Sequence, residues 1–231
     1  TCDGVQTCAL PILVGRHGAD AVRLFLMFMG PWDQGGPWSS SGISGIVRFL
    51  GRVWTLALDP TGREAGDPES GKLPGGEDAA AAESSVRRAA HRAVAGVGAD
   101  MEAFRFNTAV AKLMEFTNAL FRYRGSEIAG GAAWNEAIGM LLRALAPMAP
   151  HLAEETHARV QATSGIGDGS AGWRSIHALP WPTVDDALIT ESSRELPIQV
   201  NGKLRDKITV AATATEAEIE ALALASDKVK N

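Results

Sequence analysis

The side chains best suited to acid–base or metal chemistry, the histidines, are few and widely spread in this sequence. They are His17, His91, His151, His157 and His177. Only the fragment His151-Leu-Ala-Glu-Glu-Thr-His157 brings two of them close together. Residues six apart on a helix point to different sides, and zinc-protease motifs need histidines four apart with a correctly placed glutamate. We therefore interpret this fragment as the polar start of a helix, where the dipole favours acidic residues.

Two further patterns that could hold a ligand lack the context that their chemistry requires. Gly165-Ile-Gly-Asp-Gly169 is rich in glycine, but no strand is predicted before it and no long helix after it, and a phosphate loop needs both. Cys2 and Cys8 are the only cysteines, and one pair with this spacing is weak support for a zinc site. The sequence therefore predicts no catalytic residue and no metal ligand.

Basic side chains are the chemical feature that recurs along the chain. The clusters are Arg48/Arg52, Arg87/Arg88/Arg92, Arg122/Arg124 and Lys203/Arg205/Lys207. They could bind the phosphates of a nucleic acid, or they could be solvated faces with surface ion pairs. The net charge of −5 excludes a generic binder of polyanions, and from the residues alone we favour solvated faces.

Length and composition indicate an ordinary globular protein. A chain of 231 residues, 45% of them hydrophobic, can form one or two domains with a sizeable core. No apolar run approaches the ~20 residues of a membrane span, and the N-terminus does not resemble a signal peptide. Two cysteines confined to the first residues exclude a disulfide framework and fit a reducing cytoplasm.

Helical spacing of apolar residues predicts most of the elements that would position these side chains. We expect helices at 18–29, 41–58, 83–104, 104–124, 130–148 and 151–161. The helix at 104–124 has the widest apolar face, so we place it at the centre of a bundle. Asn107 is its expected N-cap, while Lys112 and Arg122 lie on its outer face, towards solvent or a partner.

The period changes to two at Leu196, which indicates strands. Asn201-Gly202 between two alternating runs is a strong hairpin signal. A last helix at 215–225 begins with Thr215 and Glu218 in capping-box spacing. Two strands and one helix cannot close a core, so we predict a mainly α protein that ends in a truncated α/β domain.

Several motifs occur in the order found in leucyl-tRNA synthetase, and the chain resembles that family from about residue 13 to its end. They are Gly18-Ala-Asp-Ala-Val-Arg-Leu-Phe-Leu-Met-Phe-Met-Gly-Pro31, Trp38-Ser39, Arg48-Phe-Leu-Gly-Arg-Val-Trp54, Arg105-Phe-Asn-Thr-Ala-Val-Ala111, Leu145-Ala-Pro-Met-Ala-Pro-His-Leu-Ala-Glu-Glu155, Leu179-Pro-Trp-Pro182 and Gln199-Val-Asn-Gly-Lys-Leu-Arg205. The first three segments resemble the region after the catalytic core, and the next resembles the anticodon-binding bundle. The last resembles the start of the family's small C-terminal domain.

The resemblance implies a division of the chain. Residues 1–12 resemble translated adapter sequence and are expected to be a non-native leader. Residues 13–40 would link a missing catalytic core to the bundle. Residues 41–183 would form the class I anticodon-binding helical bundle, and 184–231 a truncated C-terminal tRNA-binding domain.

The resemblance also implies a function. The parent enzyme would be an ATP-dependent, Mg²⁺-using cytoplasmic ligase that joins leucine to tRNA(Leu). The family's His-Ile-Gly-His and Lys-Met-Ser-Lys-Ser signatures are absent, so we expect this chain to need no cofactor and to be inactive without the catalytic core. The alternatives are a bundle from a valyl, isoleucyl or methionyl enzyme, or a purely structural helical domain.

Docking of tRNA on the bundle and the C-terminal domain is the property that the resemblance transfers to particular positions. On this basis we favour phosphate contacts over solvated faces as the role of the basic clusters. The residues expected to contact phosphate are Arg48, Arg52, Lys203 and Arg205, followed by Arg87 and Arg88.

Overall fold

The computed structural model describes residues 4–34, 42–62, 71–164, 174–190, 193–200, 203–211 and 214–225. Cys2, the glycine-rich stretch at 165–169 and the Asn201-Gly202 turn lie outside these residues. The chain divides into two compact units, Thr1–Asp185 and Asp186–Asn231. This division is two residues from the expected boundary at 183/184, while α1 crosses the expected boundary at 12/13.

The first unit is built from seven helices in the described residues. They are α1 (Gly4–His17), α2 (Ala19–Phe28), α3 (Ile43–Leu58), α4 (Ala79–Glu102), α5 (Phe106–Phe121), α6 (Ala132–Leu145) and α7 (Pro150–Ser164). Helix α5 packs against α2, α3, α4 and α6, and its apolar face, which includes Val110, Leu113 and Leu120, is buried. The prediction that this helix lies at the centre of a bundle is therefore confirmed.

Two predicted helix starts are wrong, and local hydrogen bonds explain both. Helix α4 begins at Ala79 instead of 83, because the Asp78 carboxylate accepts a bond of 2.8 Å from the amide of Ala81. The residue before α5 is Arg105, and Asn107 lies inside the first turn. The Arg105 amide bonds to the carbonyl of Asp100 at 2.7 Å, so the end of α4 determines where α5 begins.

Helices α2 and α7 are joined by one buried carboxylate. Asp20 lies in the first turn of α2, and its Oδ2 accepts a bond of 2.7 Å from the amide of Leu152, in α7. Its Oδ1 lies 2.8 Å from Nδ1 of His151. The fragment from His151 to His157 thus begins a helix, and the first-turn amide of Leu152, which has no partner within α7, is hydrogen-bonded by a carboxylate of α2.

The segment after α7 turns back along the bundle. A single turn of 3-10 helix occupies Ile176–Ala178 before the chain extends. The Glu154 carboxylate explains the turn, because it accepts bonds from the Ser175 hydroxyl at 2.9 Å and the Ile176 amide at 3.1 Å.

The second unit contains the predicted hairpin and final helix. Strands β1 (Ser193–Val200) and β2 (Lys203–Ala211) pair antiparallel, with an irregularity between Ile198 and Gln199. They follow the short helix α8 (Asp186–Ile189) and precede α9 (Glu216–Ala225). The Thr215 amide donates to Glu218 at 2.8 Å, which confirms the capping box and lowers the pKa of Glu218. The predicted fold class is confirmed.

Among the residues that the structure describes, no helix is both long and apolar enough to cross a membrane.

Candidate nucleic-acid interface

Helix α3 presents two arginines on a face that carries no acidic residue. Its sequence, ISGIVRFLGRVWTLAL, places Ile46, Phe49 and Val53 in the core and leaves Arg48 exposed. Arg52 is one turn further on and half-buried. Residues four apart are neighbours on a helix surface, so both guanidinium groups lie on the same side of α3.

The guanidinium of Arg52 is held in place by side chains of α5. Its Nη1 donates a hydrogen bond of 2.5 Å to Oδ1 of Asn118, and its Cζ lies 4.0 Å from the ring centroid of Phe121. Stacking on the ring adds a cation–π attraction and leaves further N–H groups able to donate. We call Arg48, Arg52, Asn118 and Phe121 the α3 basic surface.

Arg124 lies beside this surface but serves the fold. Its Nε donates to the carbonyl of Asp59 at 2.9 Å, and its Nη2 bonds the Asp59 carboxylate at 2.5 Å. Only 11% of its side chain is exposed. The Gly125 amide also donates to the carbonyl of Pro60, at 2.8 Å, so these bonds fasten the end of α5 to the end of α3.

The predicted pair on α4 is divided between two roles. Arg87 Nε lies 3.1 Å from the Glu136 carboxylate of α6, and Glu83 lies 3.7 Å away on its other side. Its charge is therefore compensated within the bundle. Arg88 is exposed, and its Nη2 makes a long contact of 3.4 Å with the Ser84 hydroxyl. No contact in the described part of the chain joins either residue to the α3 basic surface.

Lys203 and Arg205 belong to the second unit. Lys203 is the first residue of β2 and pairs with Val200 of β1. Both side chains lie outside the described residues, so these two positions stay predictions.

Lys112 faces a buried acid instead of an external partner. Its Nζ pairs with Oδ2 of Asp100, and Nη2 of Arg105 lies 3.0 Å from the other carboxylate oxygen. Burial alone would raise the pKa of Asp100, but hydrogen bonds from Lys112, Thr108 and Arg105 outweigh burial and hold the pKa below its ordinary value. Lys112 is thereby assigned to the fold, and Arg122 remains exposed at the end of α5.

The partners of Arg52 were missed by sequence reasoning. Asn118 is 66 positions away from Arg52, and no spacing rule connects the two. In the described residues no group of three His, Cys, Asp or Glu side chains could hold a metal ion. The arrangement on α3 can donate hydrogen bonds to anions, and it contains neither a nucleophile nor a general base.

A family model and a solved structure match this chain. Residues 84–221 match the model of the anticodon-binding domain of tRNA ligase. The crystal structure of a ternary complex of Agrobacterium radiobacter K84 agnB2 LeuRS with tRNA and LeuAMS superimposes with a TM-score of 0.68 and 30% identity. That likeness covers 95% of this chain and 26% of the LeuRS chain.

Protein relatives point to the same family. The chain is 43% identical over 218 residues to the leucine–tRNA ligase of Herpetosiphon aurantiacus and 37% identical over 219 residues to that of Deinococcus radiodurans. Each match covers 94% of this chain and 24% of the relative, so the chain spans about a quarter of their length. The resemblance stated from the sequence motifs is confirmed.

Proposed function

The chain belongs to the family of anticodon-binding domains of tRNA ligases, and from this premise we propose that it docks tRNA(Leu) as part of a leucine–tRNA ligase. The observation that carries the proposal is the likeness, across 95% of the chain, to a LeuRS solved together with tRNA. The names of the relatives favour leucine over valine, isoleucine or methionine. The parent enzyme would join leucine to tRNA with ATP, in the cytoplasm where proteins are made.

Within that enzyme, this chain would bind and not catalyse. The two ATP-site signatures of the family are absent from its sequence, and the ATP and Mg²⁺ of the reaction would bind to the catalytic core. Leucine-dependent exchange of pyrophosphate into ATP should therefore be undetectable with this chain alone. Any activity above a heat-inactivated control would contradict this part of the proposal.

The α3 basic surface supplies groups suited to docking a phosphate backbone. Arg52 is already oriented by Asn118 and Phe121, so little side-chain entropy is lost when its guanidinium binds a phosphate. Arg48 adds an exposed cation one turn away. Contacts of this kind set the position of a nucleic acid and carry no sequence information.

Salt dependence of tRNA binding tests the proposal. We expect this chain to bind tRNA(Leu) at ~50 mM salt and to lose affinity steeply by ~200 mM, because bound cations are released from the RNA. The double change Arg48→Gln and Arg52→Gln should lower the slope of log K against log salt by about two, about one for each cation. Filter binding or fluorescence anisotropy gives both quantities.

A matched control is Arg159→Gln on α7. Arg159 carries the same charge, but its Nε is 2.6 Å from the Glu155 carboxylate, which compensates it. If the wild-type chain fails to bind at ~50 mM salt, docking is overturned and the purely structural bundle remains. If the double variant behaves like the control, docking stands and the assignment to α3 is overturned.

A further inference from the structure

A cleft opens between α6, α7 and the returning segment at 174–180, apart from the α3 basic surface. Its volume is about 440 Å³, within the range of roughly 300–1,000 Å³ typical of small-molecule sites. The apolar residues that line it include Ile138, Leu142, Val160 and Pro180. The polar side chains of the lining decide what could bind.

Arg143 places a half-buried positive charge in this cleft. Its Nε donates to the carbonyl of Gly139 in its own helix at 3.2 Å. No carboxylate among the described residues forms an ion pair with it, and burial, the cause of the change, lowers its pKa. A guanidinium that has lost solvent without gaining a counter-charge favours the arrival of an anion.

His157 and Gln161 are two neutral polar side chains that line the cleft together with this charge. The buried His157 donates from Nε2 to the carbonyl of Arg174 at 3.2 Å. Nε2 of the Gln161 side chain lies 2.8 Å from the same nitrogen, so Gln161 is held against the ring. Burial lowers the pKa of His157 and outweighs the hydrogen bond to Arg174 and the charge of Glu154, which raise it, while the charge of Arg143 adds to the lowering.

Glu136, the carboxylate that lines the cleft, already has partners in the bundle. Glu136 accepts a bond of 3.1 Å from Arg87 Nε and one of 3.2 Å from His91 Nε2. His91 can only donate there, because its Nδ1 accepts a bond of 3.0 Å from the amide of Asp185. Two arginines line the cleft, Arg143 and Arg174, and Nη2 of Arg174 donates to the carbonyl of Ala178 at 2.9 Å.

We propose that this cleft holds one nucleotide of the bound tRNA, with a phosphate on Arg143 and the ribose or base against the apolar side chains that line the cleft. The proposal rests on the proposed function and adds a contact that the basic clusters of the sequence do not contain. Bidentate donation from a guanidinium to a phosphate, beside an apolar surface, is the chemistry that a nucleotide unit requires.

Substitution of Arg143 tests the proposal in the full chain. Arg143→Gln should weaken binding of tRNA(Leu) about tenfold at ~50 mM salt and lower the salt slope by about one. Arg143→Lys should keep the slope and lose part of the affinity, because an ammonium group cannot make the forked contact. Arg159→Gln serves as the charge-matched control, and far-UV circular dichroism with thermal unfolding checks that each variant is folded.

The NMR signals of the His157 ring can be followed in the wild-type protein, so this second test does not depend on a variant that folds. Bound tRNA should shift these signals and raise the pKa of the ring, because a phosphate beside it stabilises the charged form. Glu154, Arg143, Arg174 and Glu136 are the charged groups near the ring and are unchanged in this comparison. A titration with millimolar UMP compares a free nucleotide with a nucleotide of bound tRNA. The same shift of the His157 signals with UMP and with tRNA supports a nucleotide subsite occupied by RNA.

Three results would overturn the proposal. The first is an Arg143→Gln variant that matches Arg159→Gln in affinity and salt slope. The second is tRNA that binds without moving the His157 signals, and the third is a shift with UMP but none with tRNA. Each leaves tRNA docking itself intact, whereas a wild-type chain that binds no tRNA removes the proposed function.

Discussion

At the scale of single residues, a buried carboxylate shows how positive charge is used inside the bundle. Asp100 is 2% exposed and lies between Lys112 and Arg105. Because the carboxylate is desolvated, its charge depends on those two partners. Two basic residues that could have served an external ligand therefore stabilise the fold.

We expect this arrangement to appear in the pH dependence of stability. The pKa of Asp100 is lowered in the folded state, so its contribution is complete above the ordinary value of 3.8 and is lost as the pH falls through the folded-state pKa. Asp100→Asn should cost about 1–3 kcal/mol at pH 7, because two charged donors lose their acceptor. The difference from the wild-type protein should shrink in acid, as followed by urea unfolding at pH 7 and pH 3.

The exposed Glu102 provides the control for that experiment. Glu102→Gln removes a carboxylate from the same turn of α4 without touching the buried cluster. A difference between Asp100→Asn and wild type that stays constant from pH 7 to pH 3 would contradict the account.

Trp134 presents the opposite case, a buried donor without an acceptor. The residue is 1% exposed, and its Nε1 has no hydrogen-bond partner among the described residues. Trp134→Phe removes this unsatisfied group and keeps most of the packing, so we expect a change within about 1 kcal/mol. Trp134→Ala should cost about 3–5 kcal/mol because it leaves a cavity. Chemical unfolding of the two variants measures both; equal losses would show that the indole N–H is satisfied.

At the scale of elements, the start of α7 depends on a residue of α2. The Leu152 amide donates to the Asp20 carboxylate, and the Asp20 side chain is 10% exposed. The neighbouring His151 is 76% exposed, so its contact with Asp20 contributes little. One carboxylate thus caps a helix and joins two helices of the bundle.

Removal of that cap should destabilise the protein measurably. We expect Asp20→Ala to cost about 1–2 kcal/mol, the range for a lost N-cap, and Asp20→Asn to cost less because an amide oxygen still accepts. Thermal unfolding gives the total, and hydrogen exchange at Leu152 locates the effect. Asp33→Ala, at an exposed aspartate, is the control; an equal loss in both variants would argue against the cap.

At the scale of the whole molecule, the net charge of −5 requires any docking of tRNA to be local. Much of the positive charge is already paired with carboxylates, as at Arg87, Arg105, Arg124 and Arg159. The arginines without an ion pair among the described residues of the first unit include Arg48 and Arg52 on α3 and Arg143 in the cleft. The two proposed contacts use these positions.

The sequence by itself determined the elements and the family. The apolar period of α5, the alternation in β1 and β2, and the spacing of Thr215 and Glu218 each arise from interactions between near neighbours, which a linear pattern displays. The motif order was enough for the resemblance that the comparisons confirm.

Only the tertiary structure decided which charges serve the fold and which are available. Arg87 meets Glu136 across 49 positions, Arg52 meets Asn118 across 66, and Asp20 meets Leu152 across 132. Such partners are chosen by the packing of one helix on another, which no local period encodes. For the same reason Lys112, which was expected on an outer face, is bound to Asp100. Arg143 belongs to none of the basic clusters of the sequence, and only the packing of α6 against α7 places it in a cleft.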